Sequence, residues 1–422
     1  MVGTRLENIR AGKQQARNKP GRSVLQDHST RIRAFYRARA VRFSCLAISQ
    51  SLLMTTTPLD YTAAGVDYSK IDPLKLLAQK AARDTSGNLA HHQVSEIAAT
   101  RGESAYVMDI GGTLIASITE CLGTKALLAD AVRPLTGKTH YDSIAQDTIA
   151  MAVNDLITVG ATPLSVHAYW SAGGSEWFDD ADRMHDLVQG WQRACDTCKV
   201  SWGGGETPAL AGVVEAGRID LAASSVGVIP SRDRLTLGDK LQAGDAIVLL
   251  ASSGIHANGV SLARKLVERL PQGYATPIGD GRLYGEALLD PTILYVPVTE
   301  ALFAAGIVPH YCANITGHGW RKIMRHPAAL TYRFHTVPPV PPVLAFVQQH
   351  AAIDDVEAYG SLNMGAGFAL FVAAEQAEQV AAIARQAGVE AWVAGTVESG
   401  PKQVVIEPLG VTYSEGDLHL RA

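Results

Sequence analysis

The segment Tyr141–Val159 contains neither proline nor glycine, carries Asp142 near its start and is closed by Gly160. Those are helix start and stop signals, and they predict one helix over 141–159. It is largely apolar, so it belongs inside a folded domain. A chain of 422 residues is long enough to build two such domains with full cores. Around it the spacing predicts helices over 72–83 and 179–198, and strands over 105–108, 114–119, 163–169 and 221–229. Pro230–Asp245 is polar and turn-rich, the pattern of a domain junction. Beyond it follow a strand over 246–251, helices over 259–269 and 291–306, a proline-rich passage at 337–343, and a helix–strand alternation through 373–397.

Both halves mix helices and strands without the strict repeat of a doubly wound sheet, so the expected class is α+β. The expected division is 1–54 as a basic extension, 55–230 as a first α+β domain, and 231–422 as a second. No apolar run approaches membrane-span length, and a cytoplasmic protein is expected. The net charge of −4 conceals an asymmetry: residues 1–54 carry +9, the remainder about −13. The basic segment is compatible with a transit peptide, a nucleic-acid tail, a disordered extension, or a start codon placed upstream of Met54. Cys195 and Cys198 form one C-x-x-C, which lacks the further ligands a structural zinc needs.

Several short stretches carry chemistry. At roughly 100° per residue, Asn154 lies about 20° and Asp155 about 80° from Asp147 on the 141–159 helix. Three oxygen-bearing side chains on one side suit either a solvated face or a magnesium and phosphate face. Glu120 ends a strand just before Gly123-Thr124-Lys125, a turn that resembles a phosphate loop but lacks its register of glycines. Glu206 follows Gly203-Gly204-Gly205 and precedes Thr207. The loop Ser252–Gly259, with Ser253, His256 and Asn258, leaves a strand and enters a helix, a place where anions bind. Thr316-Gly317-His318-Gly319 and Asn363–Gly367 are further glycine turns. Together these turns point to one polyanionic ligand between two domains.

Taken in order, Tyr61–Asp67, Gly123–Lys125, Ile149–Leu156, Gly160–Leu164, Gly204–Thr207, Ser252–Leu262, Asp290–Thr292, Ile315–Gly317 and Asn363–Gly367 resemble one family. It is that of aminoimidazole ribonucleotide synthetase, also called phosphoribosylformylglycinamidine cyclo-ligase. The resemblance implies an N-terminal sheet that pairs across a homodimer into a shared barrel, a second α+β domain, and ATP in the cleft. It implies ATP-dependent ring closure of a ribonucleotide, with no nucleic-acid or membrane partner. By matching position, Glu120, Asp147 and Asp155 would hold Mg²⁺. Gly123, Thr124, Lys125, Gly204, Gly205, Ser253, Asn258, Gly259, Thr316 and Gly317 would surround phosphates. Lys125, Asn154 and His256 would be catalytic, and Glu206, Thr207, His256 and Asn363 would hold substrate.

The departures fall on ligand-facing loops. The family's Asp-Gly-Val before Gly-Thr-Lys is replaced by Glu120-Cys121-Leu122. Its glycine-rich ATP-covering loop has no counterpart over 83–109, the nearest substitute being Gly111-Gly112. Pro208–Gly212 replaces the usual Glu-Met-Pro-Gly, and His318 interrupts a glycine triplet. This pattern fits a divergent cyclo-ligase, a paralogue acting on another amide, carbamate or acid, or a nucleotide-binding homologue without catalysis.

Overall fold

The computed structural model describes residues 58–59, 64–65 and 67–418, which belong to one compact unit. The basic segment 1–54 and most of Tyr61–Val66 lie outside the described residues. Two sheets dominate, the first built from strands between Val94 and Ile229 and the second from strands between Ala246 and Ser414.

The first sheet contains β1 (Val94–Glu96), β2 (Tyr106–Ile110), β3 (Thr113–Cys121), β4 (Thr162–Ala172), β5 (Ser201–Glu206) and β6 (Ile219–Ile229), in the order β1-β2-β3-β6-β4-β5. Helix α1 (Tyr68–Asp84) precedes it, and α2 (Lys125–Thr136), α3 (Tyr141–Leu156) and α4 (Ala181–Cys198) are threaded between its strands. Strand β6 shows why one face is covered. Ile219, Leu221, Ala223 and Ile229 are buried, while the alternate residues Asp220, Ala222, Val226 and Val228 keep exposure. Ile144, Ile149 and Val153 of α3 are wholly buried. Each contributes roughly 1.5–3 kcal/mol of burial free energy. A side chain at Gly190 of α4 would run into the backbone of Asp142, so glycine there sets how closely α4 approaches α3.

The second sheet contains β7 (Ala246–Ala251), β8 (Tyr311–Asn314), β9 (Leu330–Phe334), β10 (Ala366–Val372), β11 (Ala391–Ser399), β12 (Gln403–Ile406) and β13 (Val411–Ser414). Its order is β13-β12-β9-β11-β7-β10-β8, antiparallel except for β9 with β12. All seven residues of β10 are buried, as a central strand covered on both faces requires. The fold is therefore mixed α+β, and no helix among the described residues is long and apolar enough to cross a membrane.

Three elements differ from the sequence expectation. Helix α2 begins at Lys125 itself, so Gly123-Thr124-Lys125 is a helix entrance; Pro134 sits in its last turns, where a breaker is tolerated. The triple glycine is not a turn but part of edge strand β5, parallel to β4. A Cβ on Gly203 would strike the His167 ring and one on Gly205 the Ala168 carbonyl, so close strand approach demands glycine there. The helix expected over 291–306 starts only at Val296, because the residues before it are engaged as backbone by α3.

Candidate functional site

Helix α3 presents its polar residues in two directions. Asp147 is fully buried, and its Oδ2 lies 2.7 Å from the equally buried Nζ of Lys125. Its Oδ1 accepts from the Thr292 N–H at 2.7 Å and from the Thr292 hydroxyl at 2.5 Å. Lys125 Nζ also donates to the Asp290 carbonyl at 3.0 Å. One turn-pair further on, Asn154 donates to the Ile293 carbonyl at 2.8 Å and accepts from the Tyr295 N–H at 3.0 Å. These residues bolt α2 and α3 to segment 290–295. The polar groups of Lys125, Asp147 and Asn154, for which the resemblance implies phosphate, metal and catalytic roles, are each engaged inside the protein.

Asp155 points elsewhere. It is buried, and its Oδ1 accepts from Asn314 Nδ2 at 2.7 Å, at the end of β8. Glu120, near the end of β3, has no hydrogen bond or ion pair among the described residues, and burial pushes its carboxyl well above the usual carboxylate range. The negative charge of Asp155 pushes it further, while Lys322, Arg325 and Lys75 act against the rise. Lys322 is buried, and burial lowers its ammonium below the ordinary lysine value while Asp155 and Glu120 hold it up. It donates to the Thr316 hydroxyl, and Arg325 donates to the Ser104 hydroxyl. Lys75 and Arg325 also line a cleft of about 560 Å³, whose walls include Gln79, Tyr106 and Ile118. Two acids and two buried or half-buried cations thus lie near one another, and Arg325 is shared with the cleft.

Among the described residues no three His, Cys, Asp or Glu side chains cluster as a self-sufficient metal site. Magnesium does not require one, since it is commonly held by one or two carboxylates plus phosphate oxygens and water. Glu120 and Asp155 fit that demand, because the Asp155 charge raises the cost of the Glu120 charge until a cation offsets it.

The remaining expected residues are distributed around this centre. His256 is buried in left-handed backbone, its Nε2 accepts from the Ser253 N–H at 3.2 Å, and burial with the nearby Lys125 charge lowers it to about 3. The ring is neutral and holds the shape of its own loop through Ser253. Asn363 binds the Ser252 hydroxyl, the Gly365 N–H and the Gly254 carbonyl with its amide. Ser253 donates to the Pro291 carbonyl at 2.6 Å, and Asn258 reaches Met151 Sδ at 3.7 Å. Gly259 is required by a left-handed φ of 92° and by Leu362 packed against it. Thr316 accepts from Lys322, and Gly317 lies in the same turn.

Gly204, Gly205, Glu206 and Thr207 are set apart. Pairing runs from Glu120 to Ala223 to Ala168 to Gly205, three inter-strand steps, or about 14 Å. They do not reach the acid pair in the same chain. Sequence reasoning missed Asn314, Lys322, Arg325 and Lys75. Lys322 and Arg325 follow the Thr316–Gly319 turn and Asn314 precedes it, so that turn was the available signal.

Comparison with known proteins bears on this arrangement. The model described as "AIR synthase related protein, N-terminal domain" matches residues 102–229, and its C-terminal counterpart matches 242–407. A phosphoribosylformylglycinamidine cyclo-ligase of Symbiobacterium thermophilum is 38% identical over 307 residues, 69% of this chain and 83% of that protein. One from Paraburkholderia phymatum is 32% identical over 362 residues, 82% of this chain and 95% of that one. AaThiL complexed with AMPPCP and TMP shares the fold at a TM-score of 0.51 and 14% identity, covering 74% of this chain and 90% of that one. T. maritima PurL complexed with FGAR does so at 0.50 and 15%, covering 74% of this chain and 46% of that one.

Proposed function

The chain belongs to the AIR synthase related family, among the relatives named phosphoribosylformylglycinamidine cyclo-ligase, and from that premise we propose that it closes the imidazole ring of formylglycinamidine ribonucleotide at the expense of ATP. The observation that carries this reading is the Glu120–Asp155 pair near Lys322 and Arg325, the last of which also lines the cleft. Ring closure from an amide needs its oxygen turned into a leaving group. In the proposed reaction the formyl oxygen attacks the γ-phosphorus of ATP and ADP departs. The substrate's own nitrogen then attacks the activated carbon, and phosphate leaves as the ring closes and a proton is lost.

Glu120 and Asp155 would hold Mg²⁺, which supplies charge neutralisation on the nucleotide phosphates. Lys322 and Arg325 offer cationic donors to developing negative charge, which is where a phosphoryl-transfer site gains most. Asn314 fixes the rotamer of Asp155, and Thr316 fixes Lys322, so both charges are held before ligand arrives. The cleft, lined by Gln79, Tyr106 and Ile118, is of a size for a nucleotide base. The far face of the first sheet leaves Leu164 at 49% and Tyr169 at 37% exposure. A homodimer built on that face would cover them.

The test is ADP release by the full chain with Mg²⁺–ATP. Release that depends on formylglycinamidine ribonucleotide is expected; its absence with that substrate sinks the proposal.

A further inference from the structure

The two cations nearest the acid pair are held differently. Both sit on or just past the short helical segment Gly319–Met324. Lys322 donates to Thr316, a hydroxyl of its own turn. Arg325, the one that also lines the cleft, donates instead to Ser104, which lies 221 positions away on the first sheet's side. Where Arg325 points therefore depends on the segment around Ser104.

That segment, 97–106, is braced from within. The Ile97 N–H donates to the Val107 carbonyl, the Thr100 N–H to the Ile97 carbonyl and the Glu103 N–H to the Thr100 carbonyl, each at 2.9 Å. The buried Thr100 hydroxyl donates to the Ile97 carbonyl at 2.7 Å and accepts from the Val107 N–H at 3.3 Å. Arg101 and Tyr106 both donate to Glu96 Oε2, and the Arg101 guanidinium lies 4.8 Å over the Tyr106 ring. The result is a stiff arch whose residues 100–106 form a wall of the cleft. From its crown two side chains reach the second sheet. Ser104 accepts from Arg325, and the two carboxylate oxygens of Glu103 accept from the Tyr311 hydroxyl at 3.0 and 3.3 Å. Tyr311 is the first residue of β8, and Asn314, which holds Asp155, is its last. Edge strand β8 is thus tied to the first half of the molecule at both ends.

We propose that this arch positions the nucleotide site: Ser104 holds the Arg325 guanidinium in the cleft, and Glu103, through Tyr311, fixes the strand that carries Asn314. Neither touches the reacting atoms; both are positioning residues. A long side chain confined before the ligand arrives loses less freedom on binding, so the hydroxyl acts on affinity through the arginine. The proposal rests on the reading that Arg325 meets the phosphates of Mg²⁺–ATP, and is independent of the second substrate.

The test is a double-mutant cycle on the full chain, read by thermal stabilisation with Mg²⁺–ATP in the absence of ribonucleotide. Arg325→Gln should weaken ATP about tenfold to a hundredfold, and Ser104→Ala about threefold to tenfold. Ser104→Thr keeps the hydroxyl and should restore parental affinity. In the Arg325→Gln chain, Ser104→Ala should lose nothing more, because the group it positions is gone. Ligand-free midpoints check that each variant folds. If Ser104→Ala unfolds, Tyr311→Phe serves, with about a twofold to fivefold weakening expected and an unchanged affinity overturning the proposal. Additive losses from Ser104→Ala and Arg325→Gln also overturn it. So does a Ser104→Ala protein that loses ligand-free stability but binds ATP as the parent does, or a parent that Mg²⁺–ATP fails to stabilise. Coupling between Ser104 and Arg325 without ribonucleotide-dependent ADP release supports the arch and removes the cyclo-ligase reading; such release without the coupling does the reverse.

Discussion

Helix α3 carries two clusters of buried charge, one around Asp147 and one around Asp155. Around Asp147, both carboxylate oxygens are used: one faces the Lys125 ammonium, the other takes two bonds from Thr292. Around Asp155, one oxygen has Asn314, while the neighbouring Glu120 has no partner among the described residues and Lys322 is held by a neutral hydroxyl. The first cluster is closed upon itself and joins two segments of chain. The second is assembled from β3, α3, β8 and the turn after it, and Glu120 within it has no hydrogen bond or ion pair among the described residues. Burial alone therefore does not separate structure from chemistry here; completeness of pairing does. A saturated pair can only lose by change, whereas an incomplete one is finished by a ligand.

The largest effect that follows is on the closed cluster. Lys125→Met leaves Asp147 buried without its cation, and breaking such a pair costs about 3–5 kcal/mol. Denaturant unfolding should show that loss, and adding Asp147→Leu to the same chain should recover much of it, since neither charge then remains unmatched. A Lys125→Met protein as stable as the parent but unable to bind ATP would break the comparison and return Lys125 to the phosphates.

The open cluster should respond the other way. Glu120→Gln removes a charge that burial and Asp155 both oppose, so the free protein is expected to be as stable as the parent or slightly more so. What should disappear is the Mg²⁺-dependent stabilisation by ATP, about 2.7 kcal/mol when ligand stands at 100 times its Kd. Thermal unfolding with ATP, with and without Mg²⁺, measures it. Loss of stability in the ligand-free variant, with the magnesium dependence kept, would make Glu120 another structural acid.

Against these clusters the reach of the sequence can be judged. Glu120 and Asp155 stand out in one dimension, as an acid ahead of Gly-Thr-Lys and an acid on a strongly apolar helix. Helical geometry groups Asp147, Asn154 and Asp155 within about 100° of one another, but an angle on a wheel does not say what packs against it. Here segment 290–295 takes the first two, and β8 with its following turn takes the third. Asn314 and Lys322 were illegible for the same reason: their meaning comes from strand order in the second sheet, which brings β8 to its edge. The triple glycine misled differently. Glycine marks a turn and a close strand approach alike, and only the contacts of Gly203 and Gly205 with β4 distinguish the two.

A smaller effect tests whether a third buried group, His256, belongs with the closed cluster or the open one. Its ring is neutral in the folded protein because burial, with the Lys125 charge, lowers it to about 3, against an ordinary value of 6.5. The unfolded chain therefore binds a proton near pH 6.5 that the folded chain refuses until about pH 3. The contribution is complete above pH 6.5 and is lost as the pH falls through that window, at about 1.4 kcal/mol per pH unit. Replacing it by His256→Asn, a residue that tolerates the left-handed backbone there, should flatten the acid limb of stability between pH 6.5 and 3. Turnover above pH 7 should change little if the ring only shapes its loop through Ser253. A variant whose stability profile flattens but whose turnover collapses at neutral pH would move His256 out of the structural group and into the chemistry.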